Sequence, residues 1–401
     1  MDPRTSVPWY AVRVALAVVA TVAGAAAAGA QRAPVNVQFD RLSVAEGLST
    51  TNVAALLQDR AGFLWVGTEL GLDRYDGYGF TSFRHDPDDT ASLSSSFATA
   101  LAEGPGGALW VGTLGGGLNR LDPTTGRAVR IRLRTGDPAS LSDDRVEALR
   151  VDRRGRLWAG TGVGLDLVDV RTGRVRRFGD RLRRAADTKD GVYVRDLALA
   201  PNGDLWVASS AGVSRFDTRR GRVRIHLGAE ALGGGEALAV HVDRDGTVWA
   251  GLGEHGLARI DPRTGAASRY RHDASDPGSL CGDDVYDVTR DRAGVLWVAS
   301  NGGGVCRLDA SGGRARFVAY RSDDGDPHSI STDGARVFLP DRGGLLWVGT
   351  WGGGLNKMRR TPFELFRARP GDGFRSPDVM AFAEAGAGRM WVGTYDAGLV
   401  L

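Results

Sequence analysis

Acid–base chemistry needs carboxylates and imidazoles that converge, and one short part of this chain offers such a set. Glu254 and His255 are adjacent, and His241 precedes them in the same repeat. A lyase or hydrolase could use these groups as general acid and base. No HExxH, CxxC or EF-loop spacing and no G-x-S-x-G motif occurs, so neither a metal nor another cofactor is predicted.

Cys281 and Cys306 are the only cysteines. In an exported protein two cysteines can form a disulfide. On the loop-entropy account such a bond would stabilise the fold by about 3 kcal/mol. Two unrelated buried thiols are the alternative, and the sequence leaves both interpretations open.

The charge pattern argues against nucleic-acid binding. The chain has 51 Lys and Arg against 48 Asp and Glu, and its arginines stand beside acids in segments such as DRAG and DRRG. No basic face is therefore expected. An apolar content of 42% with 10 tryptophans supplies a core, which excludes a disordered chain.

The N-terminus has the form of a secretory signal peptide. Arg4 and Arg13 precede an uncharged run from 14 to 30 that ends in AAAAGA. Ala28 and Ala30 fit the −3 and −1 positions of a cut before Gln31. We predict export to the periplasm or the extracytoplasmic face of the inner membrane. No membrane span is expected after residues 1–30, because no later apolar stretch is long enough.

A repeat of 43 to 50 residues sets the expected architecture. Eight of the ten tryptophans occur in one tetrapeptide context, [LVM]-W-[VA]-[GA]. We interpret them as structural residues that pack between repeats. They are Trp65, Trp110, Trp158, Trp206, Trp249, Trp297, Trp347 and Trp391.

Each repeat is expected to form four short antiparallel strands. Hairpin turns such as DRAG (59–62) and DPRTG (261–265) separate strands one from two and three from four. A glycine-rich bend such as WGGGL (351–355) separates strands two and three. Four-stranded units at this period predict an all-β fold, a β-propeller.

Two blade counts are compatible with the sequence. In the first, which we favour, blades 1–7 occupy 53–375, the seventh takes FELFRA (363–368) as its fourth strand, and 376–401 begins a further, truncated blade. In the second, one ring of eight blades is closed by residues 36–42. Residues 31–52 are an N-terminal strand and lead-in.

Ligand recognition is expected on the face that carries the bends and the crossings from strand four to the next strand one. Both hairpins are short and uniform, whereas these loops vary. Trp351 is the strongest candidate, because an aromatic stands among glycines. The predicted ligand-binding residues are Glu69, Glu254, His255, Asn301 and Trp351.

These motifs resemble the two-component regulator propeller repeats of bacterial hybrid histidine kinases and related receptors. The matching segments are LWVGTLGGGLNRLDP (109–123), LWVGTWGGGLNKM (346–358) and the 39–89 opening, with crossings such as GDPASLSDD (136–144). The resemblance implies an extracytoplasmic sensor of a glycan or other small ligand, without enzyme activity in this chain. It also implies a second propeller and a receptor dimer partner. A free-standing propeller lyase or hydrolase and a protein–protein scaffold are the alternatives.

Overall fold

The computed structural model describes residues 36–310, 315–361, 378–386 and 389–401. Gln38–Arg359 form one compact unit, and the described residues from 378 onward belong to another. Among the described residues, no helix is long and apolar enough to cross a membrane. The proposed signal peptide lies outside the described residues.

The first unit contains seven four-stranded antiparallel sheets, numbered here as blades 1–7 in chain order of their innermost strands. The strands of blades 1–3 are β2 (Val53–Gln58), β3 (Leu64–Thr68), β4 (Gly71–Tyr75), β5 (Phe80–Phe83), β6 (Ala98–Glu103), β7 (Leu109–Thr113), β8 (Gly117–Leu121), β9 (Ala128–Ile131), β10 (Val146–Val151), β11 (Leu157–Thr161), β12 (Gly164–Val168) and β13 (Val175–Arg177). The strands of blades 4–6 are β14 (Val194–Leu199), β15 (Leu205–Ser209), β16 (Gly212–Asp217), β17 (Arg222–Leu227), β18 (Ala237–Val242), β19 (Val248–Leu252), β20 (Gly256–Ile260), β21 (Ala267–Tyr270), β22 (Val285–Arg290), β23 (Leu296–Ser300), β24 (Gly304–Asp309) and β25 (Arg316–Tyr320). Blade 7 consists of β26 (Ala335–Pro340), β27 (Leu346–Thr350), β28 (Leu355–Thr361) and β1 (Asn36–Leu42).

The seven blades form a closed ring. The innermost strand of each blade contacts that of the next, and β26 of blade 7 contacts β2 of blade 1. The tetrapeptide glycine permits this approach: a Cβ on Gly349 would lie 2.5 Å from Cγ1 of Val53. Seven tryptophans of the repeat are buried, and six of them pack in clusters with residues of the following blade, as Trp347 does with Val53 and Val66. The predicted β-propeller of seven blades is confirmed.

The N-terminal strand β1 completes blade 7 by pairing with β28. This differs from the sequence-based assignment, which gave the fourth position to FELFRA (363–368). That segment lies outside the described residues, and β1 occupies the position instead. The eight-bladed alternative is wrong, because β1 does not pair with residues 398–401. Closure by β1 covers the edge of β28, which would otherwise expose unpaired backbone groups.

Side-chain contacts support the place of β1 as an outermost strand. Arg41 donates to the Ser329 carbonyl at 3.1 Å and to its hydroxyl at 2.8 Å, in the crossing into blade 7. Arg130 of blade 2 makes the same pair of contacts with Ser92. β1 therefore contributes to blade 7 the interaction that β9 contributes to blade 2.

The crossings into blades 4 and 5 lack the DPxxxSLS segment, and each contains a short helix. The crossing into blade 4 contains helix α1 (Gly179–Ala185), and the crossing into blade 5 contains helix α2 (Ala229–Leu232). Leu182 and Leu232, one from each helix, are buried. These short helices anchor crossings that lack the SLS serine.

The second unit contains a three-stranded sheet formed by β29 (Val379–Gly386), β30 (Arg389–Thr394) and β31 (Gly398–Val400). Its order matches strands one to three of a blade, as predicted for 376–401. Trp391 is 38% exposed in this sheet, unlike the seven tryptophans of the ring. Its predicted role as a buried packing residue is therefore not met among the described residues.

Candidate ligand site at the channel mouth

The bends and the crossings lie on one face of the ring, as the sequence predicted. The N–H groups of Gly352 and Gly354, in the bend of blade 7, donate to the Thr51 carbonyl in the crossing into blade 1. Gly115 and Gly117 of blade 2 donate in the same way to the Asp144 carbonyl. Gly256 of blade 5 and Gly304 of blade 6 bond to Asp283 and Asp333 in the same way, so the bends of blades 2, 5, 6 and 7 are tied to the crossing that precedes the next blade.

A β-bulge recurs near the start of each innermost strand, at this same face. The register of all seven strands shifts between the first and third residue, for example between Ala335 and Val337. A bulge leaves one residue unpaired and redirects its side chain. The seven bulge residues line a central cavity of about 530 Å³. We call them the mouth ring: Ala54, Thr99, Glu147, Arg195, Leu238, Tyr286 and Arg336.

One side of the mouth carries an aromatic and arginine cluster. The Arg336 guanidinium lies 3.8 Å from the centre of the Tyr286 ring and 4.8 Å from that of Trp351. The Trp351 ring is 6.3 Å from that of Phe97, which precedes β6. Trp351 is 36% exposed. These four residues come from blades 6 and 7 and the crossing into blade 2, and we call them the mouth cluster.

Arg336 has no polar partner in the part of the chain that the structure describes. Its Nε is buried without a hydrogen bond. The two aromatic rings stabilise its charge by cation–π contact. The N–H groups of the guanidinium lie in its own plane, so contact of its face with a ring leaves them available to an acceptor.

The opposite side of the mouth is internally paired. Arg195 donates to both carboxylate oxygens of Glu236 at 3.1 and 3.2 Å and lies 4.1 Å from the centre of the Tyr193 ring. The Tyr193 hydroxyl donates to Glu147. Burial, together with this bond, raises the pKa of Tyr193 well above its usual range. The polar groups on this side of the mouth therefore already have partners within the protein, and their bonds link neighbouring blades.

Two aspartates that line the cavity accept hydrogen bonds from backbone N–H groups. Asp196 accepts the N–H of Leu197 at 2.7 Å and that of Val240 at 2.9 Å. Asp287 accepts the N–H of Val288 and that of Phe338, each at 2.7 Å. Burial raises the pKa of both aspartates, that of Asp287 to about 7. Each carboxylate thus joins two neighbouring blades.

The predicted site residues do not form one cluster of side chains, although Asn52 links Glu69 to the bend of blade 7 by accepting the N–H of Gly352 at 2.8 Å. Glu69 accepts from Asn52 Nδ2 at 2.8 Å, and Asn301 Nδ2 donates to Asp284 at 3.2 Å. Glu254 is exposed with a φ of 61°. His255 Nδ1 lies 2.8 Å from the Gly253 carbonyl. None of these contacts includes Trp351, so only Trp351 of the five belongs to the mouth cluster.

The acid–base set suggested by the sequence does not converge. His241 Nε2 is 3.3 Å from Asp243, beside the hairpin of blade 5. His255 lies in the bend at the other end of the same blade. The five residues of β19 run from this hairpin to this bend and span about 17 Å, so the two imidazoles are far apart. Among the described residues, no group of His, Cys, Asp or Glu is arranged to hold a metal ion.

Three residues of the mouth cluster are not predicted by the repeat pattern: Arg336, Tyr286 and Phe97. A signal for them exists, because the seven innermost strands share small or aliphatic first residues, whereas the flanking positions vary in charge and size. Aligning the repeats on that first residue would have marked both flanking positions. These side chains meet at the mouth because of the bulge, and no residue pattern in the sequence predicts the bulge.

Comparison with known proteins agrees with this architecture. Residues 47–69 and 140–162 match the family model described as two component regulator propeller. Both segments run from a crossing through strands one and two, in blades 1 and 3. The chain contains two-component regulator propeller repeats.

Solved structures share the fold. Two of them, from B. thetaiotaomicron, are described as extracellular domains of hybrid two component systems. The first has a TM-score of 0.76 at 22% identity over 91% of this chain and 49% of that chain. The second has a TM-score of 0.63 at 17% identity over 89% of this chain and 45% of that chain. Virginiamycin B lyase from Staphylococcus aureus has a TM-score of 0.58 at 13% identity over 81% of this chain and 99% of the lyase.

A curated relative is similar over a short segment. Histidine kinase P4 of Formosa agariphila is 41% identical over 59 residues, which are 15% of this chain and 4% of the kinase. The chain also spans about half the length of the two extracellular domains. The chain thus shares the propeller fold with part of these extracellular domains.

Proposed function

We propose that this chain is the extracytoplasmic ligand-binding sensor module of a two-component signalling receptor. Its ligand is a carbohydrate or another small extracellular molecule, bound at the mouth of the channel. The observation that carries the proposal is the position of Trp351, one-third exposed beside Arg336 and Phe97.

The mouth cluster has the composition of a small-molecule site. Binding sites combine apolar and aromatic walls with a few polar groups, in cavities of roughly 300–1,000 Å³. The central cavity of about 530 Å³ falls in this range. A sugar ring presents an apolar C–H face, which an exposed indole can cover, and hydroxyls, which a guanidinium can bind. The variable loops on a uniform scaffold favour recognition at this face.

The channel carboxylates give less support to a lyase or hydrolase. Asp196 and Asp287 are each engaged by two backbone N–H groups, which is a structural arrangement. The likeness to virginiamycin B lyase concerns the fold. We therefore assign no catalytic step to this chain.

Titration calorimetry on the purified chain with a panel of neutral and acidic oligosaccharides would test the proposal. Binding of one member should be lost or reduced at least roughly tenfold in Trp351→Ala, since removing a stacked aromatic costs about 1–3 kcal/mol. Tyr78→Ala is the matched control, because Tyr78 is 99% exposed in a hairpin turn. Equal affinity of Trp351→Ala and the unmodified chain would contradict the site.

Export is a second component of the proposal. Cell fractionation with N-terminal sequencing should find the chain outside the cytoplasm, beginning at Gln31. Chain retained in the cytoplasm with Met1 intact would contradict an extracytoplasmic sensor.

A further inference from the structure

We propose that Arg336 binds an anionic group of the ligand, so that the site accepts an acidic saccharide, one that carries a carboxylate or sulfate on the sugar ring. The inference rests on the proposed function and deepens it, because it assigns a charge to the ligand.

The free donors of Arg336 carry this inference. The structure gives Arg336 neither a hydrogen bond nor an ion pair to any described residue, and its Nε is buried. A buried donor without a partner costs about 1–3 kcal/mol, and more when the donor is charged. A ligand that accepts hydrogen bonds from this guanidinium removes that cost.

Other arginines around the cavity are satisfied within the protein. Arg195 binds Glu236 through two nitrogens, and Arg150 Nε donates to the Leu197 carbonyl at 2.9 Å. Arg145 Nε lies 3.6 Å from Asp143. Arg336 is the exception, at the edge of the cavity and next to the exposed Trp351 ring.

The acids that flank Tyr286 in blade 6 have other partners. Asp284 accepts from Asn301 at 3.2 Å, and Asp287 accepts two backbone N–H groups. Neither is the counter-ion of Arg336. Because a guanidinium presents a planar fork, its best partner is an anion with two oxygens, such as a carboxylate or a sulfate.

The geometry also explains why a charged sugar fits better than an inorganic anion. Trp351 and Phe97 extend the site beyond the guanidinium with apolar surface that a small ion would leave uncovered. A saccharide with a ring carboxylate satisfies both parts: its ring covers the indole while its anionic group reaches Arg336.

The test measures affinity by calorimetry for four probes: an oligogalacturonide, a sulfated galacto-oligosaccharide, a neutral galacto-oligosaccharide of equal length, and sodium sulfate. We expect an acidic oligosaccharide to bind more tightly than the neutral one, and increasing salt to weaken its binding. Arg336→Gln should lower that affinity by about 10- to 100-fold. Arg336→Lys should also weaken it, because lysine keeps the charge and loses the fork.

Arg292→Gln is the control, since Arg292 is exposed in the first hairpin of blade 6, on the other face. The far-ultraviolet circular dichroism and melting temperature of each variant establish that it is folded. Tighter binding of the oligogalacturonide or of the sulfated oligosaccharide shows which anion the site prefers. Binding of sodium sulfate and of none of the saccharides would contradict the proposal that the ligand is a saccharide.

The outcomes separate this inference from the proposed function. If the neutral probe binds equally well and only Trp351→Ala weakens it, the sensor site stands and the anionic preference is wrong. If no saccharide binds the folded chain, the anionic preference and the carbohydrate ligand of the proposed function are both overturned.

Discussion

Cys281 and Cys306 form a disulfide at the two positions that carry a hydrogen-bonded pair in four other blades. In each pair a serine of the crossing, within SLS, GLS or SIS, binds an aspartate or asparagine of the third strand. The separation in sequence is 24 or 25 residues, and the two cysteines are separated by 25. The four pairs are Ser49–Asp73, Ser94–Asn119, Ser142–Asp166 and Ser331–Asn356. The covalent bond therefore replaces a recurring polar contact.

Blades 4 and 5 show when the pair is dispensable. Their crossings contain α1 and α2 in place of the SLS segment, and their third strands carry Ser214 and Ala258 at the equivalent position. Ser214 instead contacts His226 within the same blade. The pair thus accompanies the SLS crossing and anchors it to the blade.

We predict that Cys281→Ser with Cys306→Asn restores the pair found in blades 2 and 7. The double variant should fold and be insensitive to reductant. Reducing the unmodified chain should instead lower its free energy of unfolding by about 3 kcal/mol, as expected for a loop of this length. Urea denaturation with and without dithiothreitol measures both. The double Cys→Ala variant is the control, and its matching the Ser/Asn variant in stability would contradict the equivalence.

The same comparison predicts that Asp166→Asn stabilises the protein. Burial raises the pKa of Asp166 to about 6, and its Oδ1 has no hydrogen-bond partner among the described residues. Asn119 occupies the same position in blade 2, and its Nδ2 donates to Ser94 Oγ at 2.8 Å. Asparagine at 166 should therefore add a hydrogen bond to Ser142 and remove a buried charge.

The stabilisation by Asp166→Asn should depend on pH. When the pKa of a carboxyl is higher in the folded than in the unfolded state, the free energy of unfolding falls as pH rises between the two values, here from about 4 to about 6. The gain from Asp166→Asn should thus be small at pH 4 and about 1 kcal/mol at pH 8 by urea denaturation. Asp73→Asn is the control: Asp73 accepts from Ser49 and Ser82, so it should lose stability. A gain that is independent of pH would contradict the explanation.

The fold followed from the sequence because one residue type marks every blade. Trp65 and its equivalents recur at a nearly constant interval, and a wedge of that size must be buried against the next sheet. The position of β1 could not be derived in the same way. Phe39 and Arg41 fit an outermost strand, but the blade they complete depends on which free edge lies beside them. Only contacts such as that of Arg41 with Ser329 decide it.

The site was less accessible from the sequence. Trp351 stood out because an aromatic replaces a small or aliphatic residue in a glycine-rich bend. Arg336 and Tyr286 belong to strands that look like the other innermost strands, and they meet only because neighbouring bulges turn both side chains to the mouth. Glu254 and His255 stand out in the sequence by variation alone, and variation also occurs where a loop serves only to connect strands.

Closure of the ring by β1 predicts a large effect of Phe39→Ala. Phe39 is 1% exposed, and the N–H of Phe39 donates to the His328 carbonyl. Removing a buried phenylalanine costs about 3–5 kcal/mol. Hydrogen exchange should show loss of protection first in β28, whose edge β1 covers. Val44→Ala is the control, since Val44 is 56% exposed. Unchanged exchange of residues 355–359 would contradict this role of β1.

We predict that the hydrogen bond from Phe338 to Asp287, which joins blades 6 and 7, contributes to stability in a pH-dependent way. Burial, together with the nearby charge of Asp196, raises the pKa of Asp287 to about 7. Its carboxyl accepts the N–H of Phe338 in the next blade, whereas four other blades carry alanine at this position. Asp287→Ala loses these hydrogen bonds at every pH, but it also removes the cost of a buried charge wherever Asp287 is ionised.

Because the pKa is raised in the folded state, the contribution of Asp287 to stability falls as pH rises from about 4 to about 7. We expect Asp287→Ala to cost about 1–2 kcal/mol at pH 5 and less at pH 8, measured by urea denaturation. Carbon-13 NMR of the aspartate carboxyls should show the midpoint of Asp287 moving down in Asp196→Ala, since that variant removes the neighbouring charge. An unmoved midpoint, or an equal cost at both pH values, would contradict the coupling between the two carboxylates.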